Sequence, residues 1–391
     1  MIYHDFQGLK LSALGMGNMR LPVMDGDDSR IDEAATKEIL DTCMANGVNY
    51  YDTAWGYHSG NSELVVGKLL AEYPRDSFYL ASKFPGYDLR NMGKVEEIFE
   101  KQLEKCRVDY FDFYLFHNVC EMNTDAYLDP QYGIYDYLME QKRRGRIRHL
   151  GFSAHGDLPT IRRFLDAYGK DMEFGQIELN YFDWNFQNAK GKLELLQEWN
   201  IPVWVMEPVR GGQLAKLQPE DETRLKAARP EEKIPAWAFR FLQCLPVTVT
   251  LSGMTSLEQV KDNLATYQEA KPLNPQEMEL ILSVADDMIR RTTVPCTACH
   301  YCVSHCPKHL PIPDLLKLYN EAMVAGSGAF ISSMRLASFP PEHQPSACVA
   351  CHSCEKVCPQ ADSYSRCPGG FCPAHGALRP FCASNKGGEA T

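Results

Sequence analysis

The sequence predicts an α/β protein, a (β/α)8 barrel of the TIM type followed by a small α-rich second domain. Two observations carry that prediction. From about Leu11 to Ala270, eight short apolar runs alternate with amphipathic patterns, and eight strand–helix alternations over about 250 residues are the signature of this barrel. Beyond residue 290 the alternation stops and two cysteine runs flank a helical stretch. A doubly wound open sheet is the competing α/β architecture. It would place a glycine-rich dinucleotide turn after its first strand, and Gly15–Arg20 ("GMGNMR") supplies only two glycines of that pattern.

The expected strands are Leu11–Gly17, Val48–Asp52, Phe78–Lys83, Phe111–His117, Arg148–Ser153, Phe174–Asn180, Pro202–Glu207 and Val247–Gly253. Between them, Val95–Cys106 shows the helical repeat, with Val95, Ile98, Phe99, Leu103 and Cys106 on one face. A further helix starts at "NPQE": Asn274 caps it, Pro275 takes the first helical position and Glu277 completes a capping box. Pro313 starts and Gly326 stops a helix between the cysteine runs. The expected domains are therefore a barrel over 1–290, a cysteine-rich domain over 291–360 and a tail over 361–391. That tail is rich in Gly, Pro, Ser and Ala and is expected to be disordered.

Of the 391 residues, 45% are hydrophobic and 23% charged, an ordinary globular composition. Acidic residues outnumber basic ones, 51 to 40, giving a formal net charge of −11. That balance argues against nucleic acid or an anionic membrane as the main partner. No apolar run approaches the roughly 20 residues of a membrane span. The opening residues, MIYHDFQGLKLS, lack the basic start and apolar core of a signal peptide, so a cytoplasmic location is expected.

Of the fifteen cysteines, eight fall into two runs whose spacing, in such a compartment, points to metal rather than to disulfides. Cys296, Cys299, Cys302 and Cys306 are followed by Pro307, and Cys348, Cys351, Cys354 and Cys358 by Pro359. Both runs are C-x2-C-x2-C-x3-C-P, the spacing that holds 4Fe-4S clusters, with the fourth thiolate of each run serving the other cluster. This groups Cys296, Cys299, Cys302 and Cys358 around one cluster and Cys348, Cys351, Cys354 and Cys306 around the second. Tetrahedral zinc, the alternative, needs only four sulfurs, usually as two CxxC pairs. The segment resembles bacterial two-cluster ferredoxins. It departs from them in the long gap between runs and in lacking a matching helix after the second. Cys367, Cys372 and Cys382, in the tail, read as free thiols.

Four ionisable groups stand at expected strand ends, where a barrel of this kind does its chemistry. Asp52 ends the second strand with Tyr57 on its loop, Lys83 ends the third and His117 the fourth. Together they suit proton donation to a carbonyl oxygen as hydride reaches its carbon. A phenol is a poor acid near neutral pH, a neighbouring ammonium lowers its pKa, an aspartate aims that ammonium, and a histidine can bond the substrate oxygen. With the "YYDTAWGY…GNSE" block and the hairpin-like "YHDFQGLKLS", residues 1–290 resemble the aldo-keto reductases. The resemblance implies that Asp52, Tyr57, Lys83 and His117 are the catalytic tetrad. The whole chain looks like the branch of that family carrying a C-terminal ferredoxin-type domain.

The same resemblance implies an extended nicotinamide dinucleotide, NAD(P)(H), across the barrel top. Matching positions are Met19, Arg20, Ser153, Gln176, Glu207, Pro208, Gly211, Gly212, Leu214, Gly253, Met254, Ser256, Gln259 and Asn263. Members preferring NADP place cations in the eighth-strand segment, where Gly253 and Gln259 stand here, so NADH is expected to bind at least comparably. The expected substrate is a small carbonyl compound, with a redox partner protein for the clusters. The competing reading is an electron-transfer protein whose barrel serves a redox partner or another cofactor such as flavin. Nicotinamide gives electrons in pairs and each cluster passes one, yet no flavin motif is evident. A third reading is a redox sensor in which cluster loss reshapes the barrel mouth. Trp55, Tyr57, Tyr181, Phe182 and Trp184 are expected around an apolar mouth.

Overall fold

The computed structural model describes residues 1–359, apart from 295, 297, 326–329 and 350. It begins with an antiparallel hairpin, β1 (Tyr3–Phe6) and β2 (Leu9–Ser12). Gln7 (φ +48°) and Gly8 (φ +87°) both turn left-handed, the twist a two-residue hairpin loop needs. The run Leu11–Gly17, expected as one strand, breaks at Ala13. Leu11 and Ser12 finish the hairpin, and Leu14–Gly17 (β3) enters the barrel. Ser12 explains the break: its hydroxyl donates to the Leu14 carbonyl (2.7 Å) and its N–H to Asn49 Oδ1 (2.8 Å).

Seven more strands follow: β4 (Tyr50–Asp52), β5 (Tyr79–Phe84), β6 (Phe111–Val119), β7 (Ile147–Ala154), β8 (Gly175–Glu178), β9 (Val203–Met206) and β10 (Val247–Gly253). Each pairs in parallel with the next, and β10 closes on β3 with Gly253 opposite Gly17. The closed eight-stranded barrel is therefore the architecture the alternation predicted. Its strand ends all face one way, bringing Asp52, Lys83 and the end of β6 to one mouth.

The other end is plugged by rings. Phe6 reaches in from the hairpin and meets Trp204 edge-on at 5.0 Å and Phe113 at 5.7 Å. Tyr50, Phe113, Phe174 and Trp204 are wholly buried around it. This apolar stopper confines the polar chemistry to the mouth.

Helix Val95–Cys106 buries the five residues its periodicity selected. It lies so close to helix Ser62–Leu70 that a Cβ on Gly67 would come within 2.5 Å of the Cys106 backbone. Glycine is the residue that permits this approach. The capping box also forms: Asn274 Oδ1 accepts the Glu277 N–H at 2.9 Å and Glu277 Oε2 the Asn274 N–H at 2.8 Å, starting helix Pro275–Thr292.

The chain divides into two compact units, Met1–Ser283 and Val284–Thr391. In the second, helix Ile312–Ala325 contributes Leu315, Leu316 and Leu318 to a small core, against which Cys302, Cys306, Cys348, Cys354 and Cys358 pack. The expected tail, with Cys367, Cys372 and Cys382, lies outside the described residues. Among the described residues, no helix is long and apolar enough to cross a membrane.

Trp204→Ala would empty the centre of the ring stopper. Urea unfolding should show a loss of about 3–5 kcal/mol, the usual cost of such a truncation. A loss below about 1 kcal/mol would mean that the stopper does not hold the barrel.

Candidate active site

Asp52 ends β4 and Lys83 lies one residue before the end of β5, both buried at the mouth. Lys83 Nζ sits 2.5 Å from Asp52 Oδ1, 2.8 Å from the Thr53 carbonyl and 3.3 Å from the Tyr57 hydroxyl. The ammonium thus has three oxygen partners converging on it. Tyr57 reaches it because the next residues, His58 and Ser59, turn left-handed (φ +53° and +56°). His58 holds that turn: its Nε2 accepts the Leu21 N–H at 3.0 Å and its Nδ1 lies 2.9 Å from the Asp28 carbonyl. His117 completes the group, its ring 6.0 Å from Tyr57 and 5.1 Å from Tyr87, edge-on to both. The four residues, drawn from three strands and one following loop, therefore gather at one place.

Burial alone would pull the Lys83 ammonium down, but Asp52 and Tyr57 outweigh it and hold it above its ordinary value. Burial pushes the Asp52 carboxyl up, opposed by Lys83. The Tyr57 phenol is also raised overall: burial pushes it up, Lys83 pulls it down, and Asp52 and Glu207 push it up again. The lysine acts in the direction the sequence reading assigned it, without overcoming burial. The phenol is thus protonated at rest. His117 is held well below its ordinary value by burial, then by Lys83 and His155. Its Nδ1 is buried without a hydrogen-bond partner.

The candidate cofactor positions fall into two sets. Arg20, Glu207, Gly211 and Gly253 converge: Arg20 Nη2 lies 3.6 Å from Glu207 Oε1, and a Cβ on Gly211 would stand 2.9 Å from the same nitrogen. Gly211 and Gly212 are both left-handed (φ +62° and +95°), so their backbone is open to a close-lying ligand. Gln176 is buried with its Oε1 unpartnered, a vacant acceptor that a carboxamide would satisfy. Met19 is exposed. The second set is occupied within the protein. Ser153 Oγ accepts the Asn118 N–H (2.9 Å), and Asn263 Nδ2 donates to Ser252 Oγ (3.0 Å). Ser256 caps helix Leu257–Thr266, while Gln259 Oε1 turns back to accept the Thr255 N–H at 2.7 Å. Pro208, Leu214 and Met254 are buried walls.

Several residues at the site escaped the sequence reading. Tyr87 arches over the Tyr57 loop, its hydroxyl 2.1 Å from where a Cβ on Gly56 would stand. Behind Lys83, Gln102 Nε2 donates to the Lys83 carbonyl (3.0 Å) and to Glu63 Oε1 (2.6 Å). Glu63 in turn pairs with Lys105 at 2.6 Å, and Lys105 lies 4.6 Å from the Trp55 ring centre. Nothing local in the sequence marks Gln102 or Lys105, which sit on the buried side of an otherwise amphipathic helix. Tyr181 and Phe182 are both buried. Phe182 lies beneath the Arg210 guanidinium at 4.9 Å, and Trp184 packs edge-on against Phe241.

In the second unit the two cysteine runs share one local turn. His300 and His352 are left-handed (φ +62° and +58°), and each precedes a four-residue helix, Tyr301–Ser304 and Ser353–Lys356. Burial pushes the Cys302 thiol up to about 11, with Cys296, Cys358 and Cys299 adding like charge. Cys358 therefore lies near enough to Cys302 to bear on its thiol. Among the described residues no three His, Cys, Asp or Glu side chains converge on a single-ion site. The cysteine thiols with their apolar backing are a donor set that 4Fe-4S cubes take.

The closed parallel barrel with ionisable groups gathered at its mouth is that of an oxidoreductase, as the comparisons show. Residues 13–286 match the Aldo/keto reductase family, and the chain belongs to that family. Residues 295–363 match the 4Fe-4S dicluster domain. The chain is 27% identical over 304 residues to the NADH-specific methylglyoxal reductase of Escherichia coli (strain K12), spanning 66% of this chain and 90% of that one. It is 24% identical over 293 residues to L-galactose dehydrogenase of Arabidopsis thaliana, spanning 70% and 89%. The holo structure of aldo-keto reductase AKR11C1 from Bacillus halodurans superposes with a TM-score of 0.59 at 25% identity, covering 73% of this chain and 96% of that one.

The lowered His117 gives a pH signature. The folded imidazole is neutral while the unfolded one takes a proton below about 6.5, so stability is present above that pH and lost as pH falls. Between pH 6.5 and 5 the protein should lose up to about 1.4 kcal/mol per pH unit from this group. His117→Gln should lose correspondingly less in the same urea series. Equal slopes would show that His117 titrates normally.

Proposed function

We propose that the barrel is a nicotinamide-dependent reductase of aldehydes or ketones, with Tyr57 as general acid. The observation that carries this reading is the Lys83 ammonium held between Asp52 and the Tyr57 hydroxyl at the barrel mouth. When bound, the nicotinamide cofactor supplies a hydride to the carbonyl carbon; Gln176, the Gly211–Gly212 turn and Arg20 are the residues that would hold it. The chain's own groups handle the oxygen. Tyr57 gives its proton to the oxygen as negative charge develops there. Lys83 then faces a phenolate, and the attraction at that short range stabilises it. Asp52 and the Thr53 carbonyl keep Lys83 charged and aimed. Neutral His117 offers one ring N–H to the substrate oxygen and does not compete as an acid. The E. coli relative, named for NADH and methylglyoxal, supports a small carbonyl substrate and the use of NADH.

Tyr57→Phe removes the proton and keeps the ring. Carbonyl reduction should fall at least ~100-fold, the scale of acid–base catalysis, while cofactor affinity, read by fluorescence quenching, barely changes. Wild-type turnover in this variant would remove Tyr57 from the chemistry.

We further propose that residues 291–360 carry two 4Fe-4S clusters, one on Cys296, Cys299, Cys302 and Cys358 and one on Cys348, Cys351, Cys354 and Cys306. Protein purified without oxygen should contain about eight iron and eight sulfide per chain. Stoichiometric zinc without sulfide contradicts the assignment. Cys358→Ala and Cys306→Ala should each weaken a different cluster, resolved as separate losses of iron.

A further inference from the structure

The turn that carries Tyr57 is held by a segment far from it in sequence. His58 is buried, and it stands left-handed beside a left-handed serine (φ +53° and +56°). Two successive non-glycine residues in that region are costly and persist only where neighbours over-determine them. Both ring nitrogens of His58 are spent on the loop 18–32 that leaves β3. Nε2 accepts the Leu21 N–H at 3.0 Å. A backbone N–H can only donate, so the ring proton sits on Nδ1. That nitrogen lies 2.9 Å from the Asp28 carbonyl oxygen and 3.1 Å from Asp28 Oδ1.

The same loop carries Met19 and Arg20, and Arg20 stands 3.6 Å from Glu207, among the residues that would hold the cofactor. Leu21 comes next in the chain and is buried. The His58 ring therefore joins two segments whose neighbours do different work. One residue back along its own chain is Tyr57, and one residue back from its Nε2 partner is Arg20. Tyr57 needs such a hold. Of the three oxygens around Lys83 its hydroxyl is the farthest, at 3.3 Å against 2.5 and 2.8 Å, so the ammonium restrains it least.

Other groups tie the loop to the turn as well. Asn18 Nδ2 donates to the Asp52 carbonyl (2.8 Å), Ser62 Oγ to the Asn18 carbonyl (2.9 Å) and Asn61 Nδ2 to the Ser29 carbonyl (2.8 Å). These contacts hold the two segments together whatever stands at position 58. What the ring adds is a link between two particular points, the Leu21 N–H beside Arg20 and the backbone beside Tyr57. A turn that needed only its left-handed φ would be served by glycine or asparagine. Histidine supplies in addition an acceptor at the far end of the ring and a donor nearer the chain, the pair that Leu21 and Asp28 require.

We propose that His58 is a positioning residue for the carbonyl step, coupling the loop that would seat the cofactor to the turn that places Tyr57. This rests on the carbonyl-reductase reading and adds to it a residue that acts through Tyr57 and Arg20 without touching substrate. Binding at the Arg20 loop steadies the Tyr57 turn, and by linkage a steadier turn tightens binding.

Two substitutions separate the bonds of the ring. In His58→Gln the terminal amide reaches the place of Nε2 and keeps an acceptor for Leu21. In His58→Asn it reaches only the place of Nδ1, so Asp28 is kept and Leu21 is lost, while asparagine tolerates the left-handed backbone. Without cofactor, hydrogen exchange at the Leu21 amide should be at least ~10-fold faster in His58→Asn than in wild type, the scale of one hydrogen bond. His58→Gln should stay close to wild type. With NADH added, wild type and His58→Gln should gain protection in both 18–24 and 56–62, and His58→Asn in 18–24 alone. At saturating NADH, kcat should fall at least ~10-fold in His58→Asn, as for a misplaced acid, and recover in His58→Gln, with circular dichroism checking that each variant folds. Protection transmitted to 56–62 in wild type and abolished in His58→Asn supports the coupling even if no carbonyl compound is turned over, in which case the reductase reading alone fails. Equal protection of 56–62 in wild type and folded His58→Asn overturns the coupling whatever the turnover. NADH protection confined to 18–24 in wild type overturns it without any variant.

Discussion

The buried contact between Lys83 and Asp52 constrains everything else at the barrel mouth. An ammonium without solvent is tolerable only if oxygens surround it, and here a carboxylate, a backbone carbonyl and a phenol do so. Holding those partners requires β4 and β5 to be adjacent and in register, with Asp52 opposite Ala81. It also requires the left-handed turn at His58 and Ser59 that returns Tyr57 to the ammonium. Behind it, Gln102 grips the Lys83 carbonyl, and Glu63, Ser82 and Tyr114 grip Gln102 in turn. The reactive geometry is thus the exposed edge of a buried polar lattice joining two helices and two strands.

The barrel separates its two ends by chemistry. At the hairpin end, aromatic rings from Phe6, Phe113, Phe174 and Trp204 fill the interior and exclude water. At the mouth, burial works on ionisable groups instead. It keeps His117 neutral and Tyr57 protonated, while Lys83 stays charged because its partners outweigh the same effect. One physical cause, desolvation, therefore prepares an acid and a neutral donor side by side, and a local ion pair prepares the cation between them.

The second unit uses sequence repetition for a different purpose. Two C-x2-C-H-x-C segments give two matching left-handed turns at His300 and His352, each leading into a single helical turn. Cys306 then lies in the small apolar core with Leu310, Ile312 and Leu315, and Cys358 packs against it. A backing of this kind lowers the local dielectric around a cluster and so bears on its potential. Hydride chemistry moves electrons in pairs, and a cluster moves one at a time.

The alternation of eight apolar runs with amphipathic helices determined the barrel, because each strand and helix must bury a face and few layer architectures accommodate that order. Cysteine spacing was equally legible, since ligand count and spacing act over a few residues. Asp52, Tyr57, Lys83 and His117 could be read as strand-end groups, and only closure of the barrel decided that they touch. Other features were decided by tertiary structure alone. The break at Ala13 depends on Asn49, 37 positions from Ser12. The partners of Tyr181 and Phe182 were likewise not legible: Phe182 lies under Arg210 and Tyr181 meets Phe241. Gln259 was spent on a helix cap. The hold of His58 on Leu21 and Asp28 had no local signature, since those residues lie 37 and 30 positions from it. Local periodicity and spacing reveal what a segment will become. Which buried charges meet is settled only when distant strands close around them.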